Sequence, residues 1–350
     1  MIREAIEKVV KGVNLSEEEM RKAFDEIMSG QAAPSQIAAF IVALRMKGET
    51  VEEITGAAKV MREKSVRISV GGTLVGADTE ESESCEEAIV DTCGTGGSGL
   101  NTFNISTASS FVVAGCGVKV AKHGNRSASS QCGSADVLEA LGVKLDIGAD
   151  LTARCIREIG IGFLYAPLFH SAMKYAVVPR REIGIRTIFN ILGPLSNPAG
   201  ATSQVLGIYD SNLTEVLAKV LKNLGLARAF VAAGMDKLDE ITITERTKIT
   251  ELDKGRLKTY YISPEKFGMK RATLDDIKGG SAKENAETIR SILKGERSSR
   301  RDVVLLNSSA ALIAAFRTKD FRSGISLAEE SIDSGRAREK LEQLIRFSNQ

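Results

Sequence analysis

Apolar side chains in the first 70 residues recur at the spacing of α-helices. The opening segment places its apolar residues on one helical face, namely Ile2, Ile6, Val9 and Val10. Because this face is not a continuous apolar run, we expect a helix and not a signal peptide. Capping boxes predict two later helix starts, at Ser16 with Glu19 and at Thr50 with Glu53, and Gly48 predicts a helix end. We predict four short helices whose thin core docks on another surface, such as a second copy of the chain.

The pattern changes after a glycine-rich and then acidic stretch at 71–87, which we expect to be an exposed loop. Apolar strand patterns then alternate with helical patterns. The predicted strands are 88–91, 118–121, 163–166, 205–209, 228–233, 241–244 and 302–306. The predicted helices are 105–115, 135–141, 212–224 and 309–317, followed by one amphipathic helix at 327–345. This alternation indicates an α/β fold with a mostly parallel central sheet covered on both faces.

One segment, 167–198, interrupts the alternation and holds four of the six prolines. We predict a helix at 171–178, then turns, then a second helix that ends near Gly193. A helical insertion of this kind would pack with the N-terminal helices. The predicted division is therefore a small, discontinuous, dimerising helical domain (1–72 with 171–192) and a larger α/β domain (73–170 with 193–350).

Composition narrows the function classes. A length of 350 residues suits two domains, and the net charge of +2 gives no global field that favours nucleic acid or a membrane surface. No apolar run is long enough to span a bilayer. The five cysteines are odd in number and form no C-x-x-C pair, which indicates a reducing, cytoplasmic compartment.

The stretch G-T-G-G-S-G at 94–99 matches the dinucleotide fingerprint G-x-G-x-x-G and lies between a predicted strand and a predicted helix. A tight turn without a ligand is the simplest alternative. The dinucleotide interpretation needs an acidic residue about 20 positions later, at the end of the next strand. That strand ends instead in the basic run Lys122-His123-Gly124-Asn125-Arg126. An NADP site remains open, but a diphosphate is the simpler ligand.

Two further groups of side chains suit a phosphate site. Asn104, Ser106 and Thr107 lie at the predicted start of the helix after the glycine loop, where they cap the helix or contact phosphate. Asp239 and Glu240 are adjacent carboxylates, which form either a solvated loop pair or a Mg²⁺ site completed by waters and substrate phosphates. Asp236 is a weaker candidate for the same site.

A substrate carboxylate has one natural partner in the proline-rich segment, the Arg180 guanidinium. Surface pairing of this arginine with Glu182 is the alternative. The two histidines, His123 and His170, carry either acid–base or binding roles, and we favour binding.

Taken in order, six motifs resemble the anthranilate phosphoribosyltransferase family. They are D-T-C-G-T-G-G, N-I-S-T-A, K-H-G-N-R, G-S-A-D-V-L-E-A-L-G, R-R-E-I-G-I-R-T-I-F-N-I-L-G-P-L-S-N-P and L-D-E. The resemblance implies transfer of a phosphoribosyl group from phosphoribosyl diphosphate to anthranilate, in tryptophan biosynthesis, by a homodimer that uses Mg²⁺, with two ions expected. It leaves association with anthranilate synthase open.

The resemblance also implies roles for particular residues. Phosphoribosyl diphosphate would contact Gly94, Thr95, Gly96, Gly97, Asn104, Ser106, Thr107, Lys122 and Ser134. Anthranilate would contact Gly94, His123, Asn125, His170, Arg180, Gly193 and Pro194. Mg²⁺ would be held by Ser106, Asp239 and Glu240, and these carboxylates with Lys122 would stabilise the transition state.

The chain departs from the family pattern at Ser98, where the family commonly has Asp, and at Lys237, where it commonly has Gly. These departures put in question the charge of the glycine loop and the affinity for phosphate or metal. The alternatives that remain are a pyrimidine nucleoside phosphorylase of the same fold and a non-catalytic nucleic-acid-binding relative.

Overall fold

The computed structural model describes residues 1–70, 88–127 and 131–350. The predicted loop at 71–87 and the predicted domain boundary after residue 72 lie outside these residues. In the first part of the chain the four predicted helices are present: α1 (Ile2–Val10), α2 (Glu17–Met28), α3 (Pro34–Lys47) and α4 (Val51–Glu63). Both capping boxes form, and Gly48 ends α3 with φ 88°.

The rest of the described chain contains seven strands and eleven further α-helices. The strands are β1 (Ile89–Gly94), β2 (Lys119–Gly124), β3 (Ile161–Tyr165), β4 (Ser203–Gly207), β5 (Arg228–Gly234), β6 (Thr247–Asp253) and β7 (Arg256–Ile262). The helices are α5 (Ile105–Gly115), α6 (Ser134–Leu141), α7 (Ala149–Arg154), α8 (Ala166–Phe169), α9 (Lys174–Ile183), α10 (Phe189–Leu195), α11 (Thr214–Asn223), α12 (Ala282–Leu293), α13 (Ser299–Ala314), α14 (Phe321–Asp333) and α15 (Arg336–Ser348).

All seven strands belong to one sheet in the order β3-β2-β1-β4-β5-β6-β7. The first five strands in this order are parallel, and β6 and β7 add an antiparallel hairpin at one edge. One apolar core lies between the sheet and the helices that include α5, α13 and α15, and a second lies between the sheet and α10, α11 and the N-terminal helices. The prediction of an α/β fold with a mostly parallel, covered sheet is therefore confirmed.

The proline-rich segment lies against the N-terminal helices. Helix α9 packs on α2 and α3, and Ala176 joins the core that contains Phe24 and Phe40. Gly30 lies so close to the Tyr175 ring that a Cβ there would stand 2.5 Å from a ring carbon. The helix predicted at 171–178 is a 3-10 turn at Ser171–Met173 followed by α9, which includes Pro179 and ends before Gly184 with φ 67°.

Three predicted elements are wrong. Residues 302–306, predicted as a strand, form part of α13, whose central apolar residues are buried on every side; a short apolar run does not distinguish a buried strand from a buried helix. Residues 241–244 are not a strand, because their threonine hydroxyls turn to Asp236. The single helix predicted at 327–345 is divided between α14 and α15, since Gly335 takes a left-handed conformation with φ 80°.

Among the described helices, none has the length and apolar content that a bilayer crossing requires.

Candidate active site

The glycine loop after β1 lies against the loop that carries Asp239. The amide of Gly96 donates a hydrogen bond to Asp239 Oδ2 at 2.9 Å. A Cβ at Gly94 would stand 2.7 Å from the same oxygen, and a Cβ at Gly207, at the end of β4, would stand 1.8 Å from the Asp239 carbonyl oxygen. Side chains at these two positions would therefore push the carboxylate loop away, so glycine is required for the close approach.

The start of α5 joins this arrangement. The Ser106 amide donates to Glu240 Oε1 at 3.2 Å, and Lys122 Nζ, on β2, donates to Ser106 Oγ at 3.3 Å and to the Thr92 carbonyl at 2.6 Å. The buried Thr107 hydroxyl has no hydrogen-bond partner among the described residues. The unpartnered Thr107 hydroxyl, the N-terminus of α5 and the buried Lys122 form a site that suits an anion.

Asn104 occupies the N-cap position of α5, but its side chain does not cap the helix. Its amide nitrogen donates to the Cys132 carbonyl at 3.2 Å, and its oxygen accepts from Asn285 at 3.0 Å. Ser134, the first residue of α6, donates its hydroxyl to the Asn125 carbonyl at 3.3 Å. The starts of two helices are thus held beside the strand tips by polar side chains.

Asp239 and Glu240 are half-buried, and the protein around them disfavours their charged forms. Burial raises the pKa of Glu240 to about 8, with repulsion from Asp239 adding to the effect and attraction to Lys122 opposing it. Burial also raises the pKa of Asp239 and lowers that of Lys122. A divalent cation beside two such carboxylates would favour their ionised forms.

The donor set fits Mg²⁺, which prefers carboxylate oxygens and keeps several other oxygen ligands. No group of three or more His, Cys, Asp and Glu side chains that could hold a metal occurs in the parts of the chain that the structure describes. The ion would therefore need phosphate oxygens or waters beside Asp239 and Glu240. Asp236 does not join them, since its carboxylate accepts hydrogen bonds from the Leu238 amide and from two threonine hydroxyls, Thr242 and Thr244.

The two departures from the family pattern lie in this region. Lys237 has φ 72°, a left-handed conformation that favours glycine, which explains why a glycine suits the position. Ser98 Oγ accepts from the Leu100 amide at 3.4 Å, and a hydrogen bond with this side chain partly offsets the rise in the pKa of Asp239. Ser98 therefore supplies a neutral hydrogen-bonding group beside Asp239.

The second predicted group, around Arg180, lies near the start of α10. The Arg180 guanidinium is half-buried and stacks on the Phe189 ring, with 5.1 Å to the centroid, whereas Arg181 is exposed. Burial lowers the pKa of Arg180. Arg180 and Arg181 both lie in the last turn of α9 and face different surroundings.

The two histidines are in direct contact, which the sequence did not indicate. Their Nε2 atoms are 3.2 Å apart, and His123 also hydrogen-bonds to the backbone of Gly193. Burial lowers the pKa of His123 to about 3 and that of His170 to about 4, so both rings are neutral near pH 7. The neighbouring Pro194 is buried, and Asn125 is exposed at the end of the β2 tip.

Sequence reasoning missed a buried carboxylate behind this tip. Asp91 Oδ1 accepts from the His123 amide at 3.2 Å, and Asp91 Oδ2 accepts from Asn197 Nδ2 at 2.8 Å. Burial raises the pKa of Asp91 to about 6. The signal was an acidic residue inside the apolar strand pattern A-I-V-D. Asp91 fixes the β2 tip to the Asn197-Pro198 turn.

Comparison with known families matches both parts of the chain. Residues 3–65 match the helical bundle domain of the glycosyl transferase family, and residues 86–338 match its a/b domain. A relative from Geotalea uraniireducens, an anthranilate phosphoribosyltransferase, is 57% identical over 350 residues, which are 100% of both chains.

Solved structures agree with this match. The anthranilate phosphoribosyltransferase of Thermus thermophilus has a TM-score of 0.90 at 39% identity, covering 99% of each chain. The Saccharomyces cerevisiae enzyme in complex with PRPP and Mg has a TM-score of 0.88 at 27% identity, covering 99% of this chain and 98% of that one.

Proposed function

The chain belongs to the anthranilate phosphoribosyltransferase family, and we propose that its strand tips bind the substrates of that family's reaction. The enzyme transfers the 5-phosphoribosyl group from phosphoribosyl diphosphate to the amine of anthranilate, giving N-(5-phosphoribosyl)anthranilate and diphosphate. The reaction is a pentosyl transfer in tryptophan biosynthesis. The observation that carries the proposal is the meeting of the glycine loop, the start of α5, Lys122 and the paired carboxylates at one edge of the sheet.

In this proposal the diphosphate lies along the glycine loop, Gly94 to Gly97. The N-terminus of α5 faces the phosphates, and the hydroxyls of Ser106 and Thr107 donate to the phosphate oxygens. Ser134 and Asn104 hold the neighbouring helix starts. As the bond at the sugar C1 breaks, negative charge grows on the leaving diphosphate, and Lys122 stabilises it.

Ser106, Asp239 and Glu240 would hold Mg²⁺, and two ions are proposed with the bound diphosphate. Bound Mg²⁺ neutralises phosphate charge. The raised pKa values of the two carboxylates support this role, because the site holds negative charge poorly until a cation arrives. The buried Lys122 alone would not explain why two adjacent carboxylates have raised pKa values, whereas a metal site does.

Anthranilate would bind between the β2 tip and α9. The Arg180 guanidinium is the proposed partner of its carboxylate, and Asn125 and Gly94 line the same pocket. Neutral His123 and His170, with Gly193 and Pro194, would shape the pocket without adding charge. Because the arylamine is a weak nucleophile, its position against C1 matters more than a strong base.

We also propose that the helical domain comprises 1–72 with 171–192 and pairs two copies of the chain, in the cytoplasm. Support comes from large apolar side chains that stay exposed on its helices and turns, Val10, Val13, Met46, Val177, Val178 and Ile185. The remaining residues, 73–170 with 193–350, would form the substrate-binding domain. Association with anthranilate synthase stays a prediction of the family resemblance.

Product analysis tests the function against its nearest alternative. The protein is incubated with phosphoribosyl diphosphate, anthranilate and MgCl₂, and in parallel with uridine or thymidine and inorganic phosphate. We expect N-(5-phosphoribosyl)anthranilate and diphosphate in the first mixture and no free base in the second. Release of uracil or thymine, without turnover of anthranilate, would identify a nucleoside phosphorylase instead.

A further inference from the structure

The connection between α9 and α10 carries an exposed arginine, Arg186, that the proposed reaction does not use. The connection leaves α9 at Gly184, which has φ 67°, and enters α10 at Phe189, whose ring stacks on Arg180. The same short segment therefore joins the proposed anthranilate pocket to the contacts of Arg186.

Arg186 contacts the glycine loop. Its Nη2 donates a hydrogen bond to the Gly97 carbonyl oxygen, and a Cβ on residue 97 would stand 3.0 Å from the guanidinium carbon. The guanidinium also stacks on the Tyr209 ring, with 4.2 Å to the centroid. Tyr209 follows β4, so the arginine is held between two chain segments that leave the same edge of the sheet.

This contact is a second attachment of the glycine loop, in addition to the one to Asp239. The Gly96 amide is bound by Asp239 Oδ2, and the carbonyl of the following residue, Gly97, is bound by Arg186. Gly97 has φ 82° and lacks a Cβ, so its peptide groups can turn to other orientations when nothing holds them. A carbonyl oxygen turned toward a diphosphate would repel it, and the bond to Arg186 prevents this.

We propose that Arg186 is a positioning residue for phosphoribosyl diphosphate, which orients the Gly97 peptide and places a positive charge beside the loop before the substrate binds. This inference rests on the proposed function. Tyr209 supports the arginine by holding the guanidinium plane against the loop.

Four variants test the proposal, Arg186→Ala, Arg186→Lys, Tyr209→Leu and the control Arg181→Ala, whose arginine is exposed on the neighbouring helix. For Arg186→Ala we expect the KM for phosphoribosyl diphosphate to rise about 10-fold, the loss typical of one charge-assisted hydrogen bond at an exposed site. The KM for anthranilate and the kcat should change less than about 2-fold, since the loss is in binding the diphosphate.

The other three variants should change the KM for phosphoribosyl diphosphate less than Arg186→Ala does. Arg186→Lys keeps the charge but not the planar guanidinium, so we expect partial rescue, with a rise of about 3-fold. Tyr209→Leu should also raise this KM about 3-fold, because the stacking contact is lost. Arg181→Ala should leave both KM values unchanged.

Calorimetric titration with magnesium diphosphate measures the same effect without turnover. We expect the Kd to rise about 10-fold in Arg186→Ala, while thermal melting without ligand stays within the range of the control. An unchanged Kd and KM in Arg186→Ala, or an equal rise in both KM values with a lowered melting temperature, would overturn the proposal. Wild-type protein that bound diphosphate but did not consume anthranilate would contradict the proposed function. The role of Arg186 would then be tested by the diphosphate Kd alone.

Discussion

The carboxylate pair should destabilise the ligand-free protein, and Glu240→Gln tests this directly. Burial and Asp239 raise the pKa of Glu240 from 4.5 to about 8. A carboxyl group whose pKa is raised on folding makes its full contribution to stability when the pH is below its pKa in the unfolded chain. This contribution is lost as the pH rises from 4.5 toward 8, because the carboxyl then ionises in the unfolded chain but stays protonated in the folded chain.

The magnitude follows from the pKa difference. At pH 7 the unfolded value lies about 2.5 units below the pH, and each unit is worth about 1.4 kcal/mol, which bounds the cost at about 3 kcal/mol. Glutamine resembles the protonated carboxyl and still accepts from the Ser106 amide, but its NH₂ group has two hydrogens to place where the carboxyl has one, which offsets part of the gain. We therefore expect the variant to be more stable by about 1–2 kcal/mol at pH 7.

Thermal unfolding without Mg²⁺ measures this at pH 5, 6, 7 and 8. The melting temperature of Glu240→Gln should exceed that of the wild type by about 1–3 °C at pH 7, and the difference should shrink toward pH 5. Added MgCl₂ with phosphoribosyl diphosphate should stabilise the wild type more than the variant. The exposed Glu287→Gln is the matched control, which should leave the melting temperature within about 1 °C of the wild type. A Glu240→Gln variant that melts below the wild type, or a difference that does not depend on pH, would show that the buried Glu240 carboxyl does not destabilise the ligand-free protein.

Three further substitutions test other contacts. Arg180→Ala should raise the KM for anthranilate about 10-fold or more and leave that for phosphoribosyl diphosphate nearly unchanged; an equal rise in both would make Arg180 structural. Lys237→Gly should raise the urea midpoint, with a gain of up to about 1 kcal/mol in the free energy of unfolding, because glycine adopts the left-handed conformation without strain. An equal gain in Lys237→Ala would show that removal of the lysine charge, and not of strain, is the cause. Asn197→Ala should lower the unfolding free energy by about 2–3 kcal/mol, since the buried Asp91 loses its hydrogen bond; an unchanged urea midpoint would contradict this.

The parts of the fold that could be predicted are those with a local signal. Capping boxes mark α2 and α4, and apolar runs separated by helical patterns mark the parallel strands β1 to β5. Because the carboxyl ends of parallel strands meet at one edge, the glycine loop and the basic β2 tip could be expected to lie together. The continuous burial of α13 could not be anticipated, since a short apolar run has no period that separates helix from strand.

The contacts within the site depend on long-range packing and were less predictable. Arg186 and Gly97 lie 89 positions apart, and no spacing rule connects them. The histidine contact and the hydrogen bond from Asn197 to Asp91 likewise join distant segments whose approach is set by the sheet order. Lys237 could be recognised only as a departure from a family pattern, and its positive φ supplies the physical reason.

Anthranilate fluorescence provides the most direct test of the central claim, that this chain joins anthranilate to a phosphoribosyl group. The purified protein is mixed with anthranilate, and the fluorescence is followed as phosphoribosyl diphosphate and MgCl₂ are added singly and together. We expect a steady loss of fluorescence only when both are present, with one diphosphate released for each anthranilate consumed. Fluorescence that stays constant with both present would contradict it.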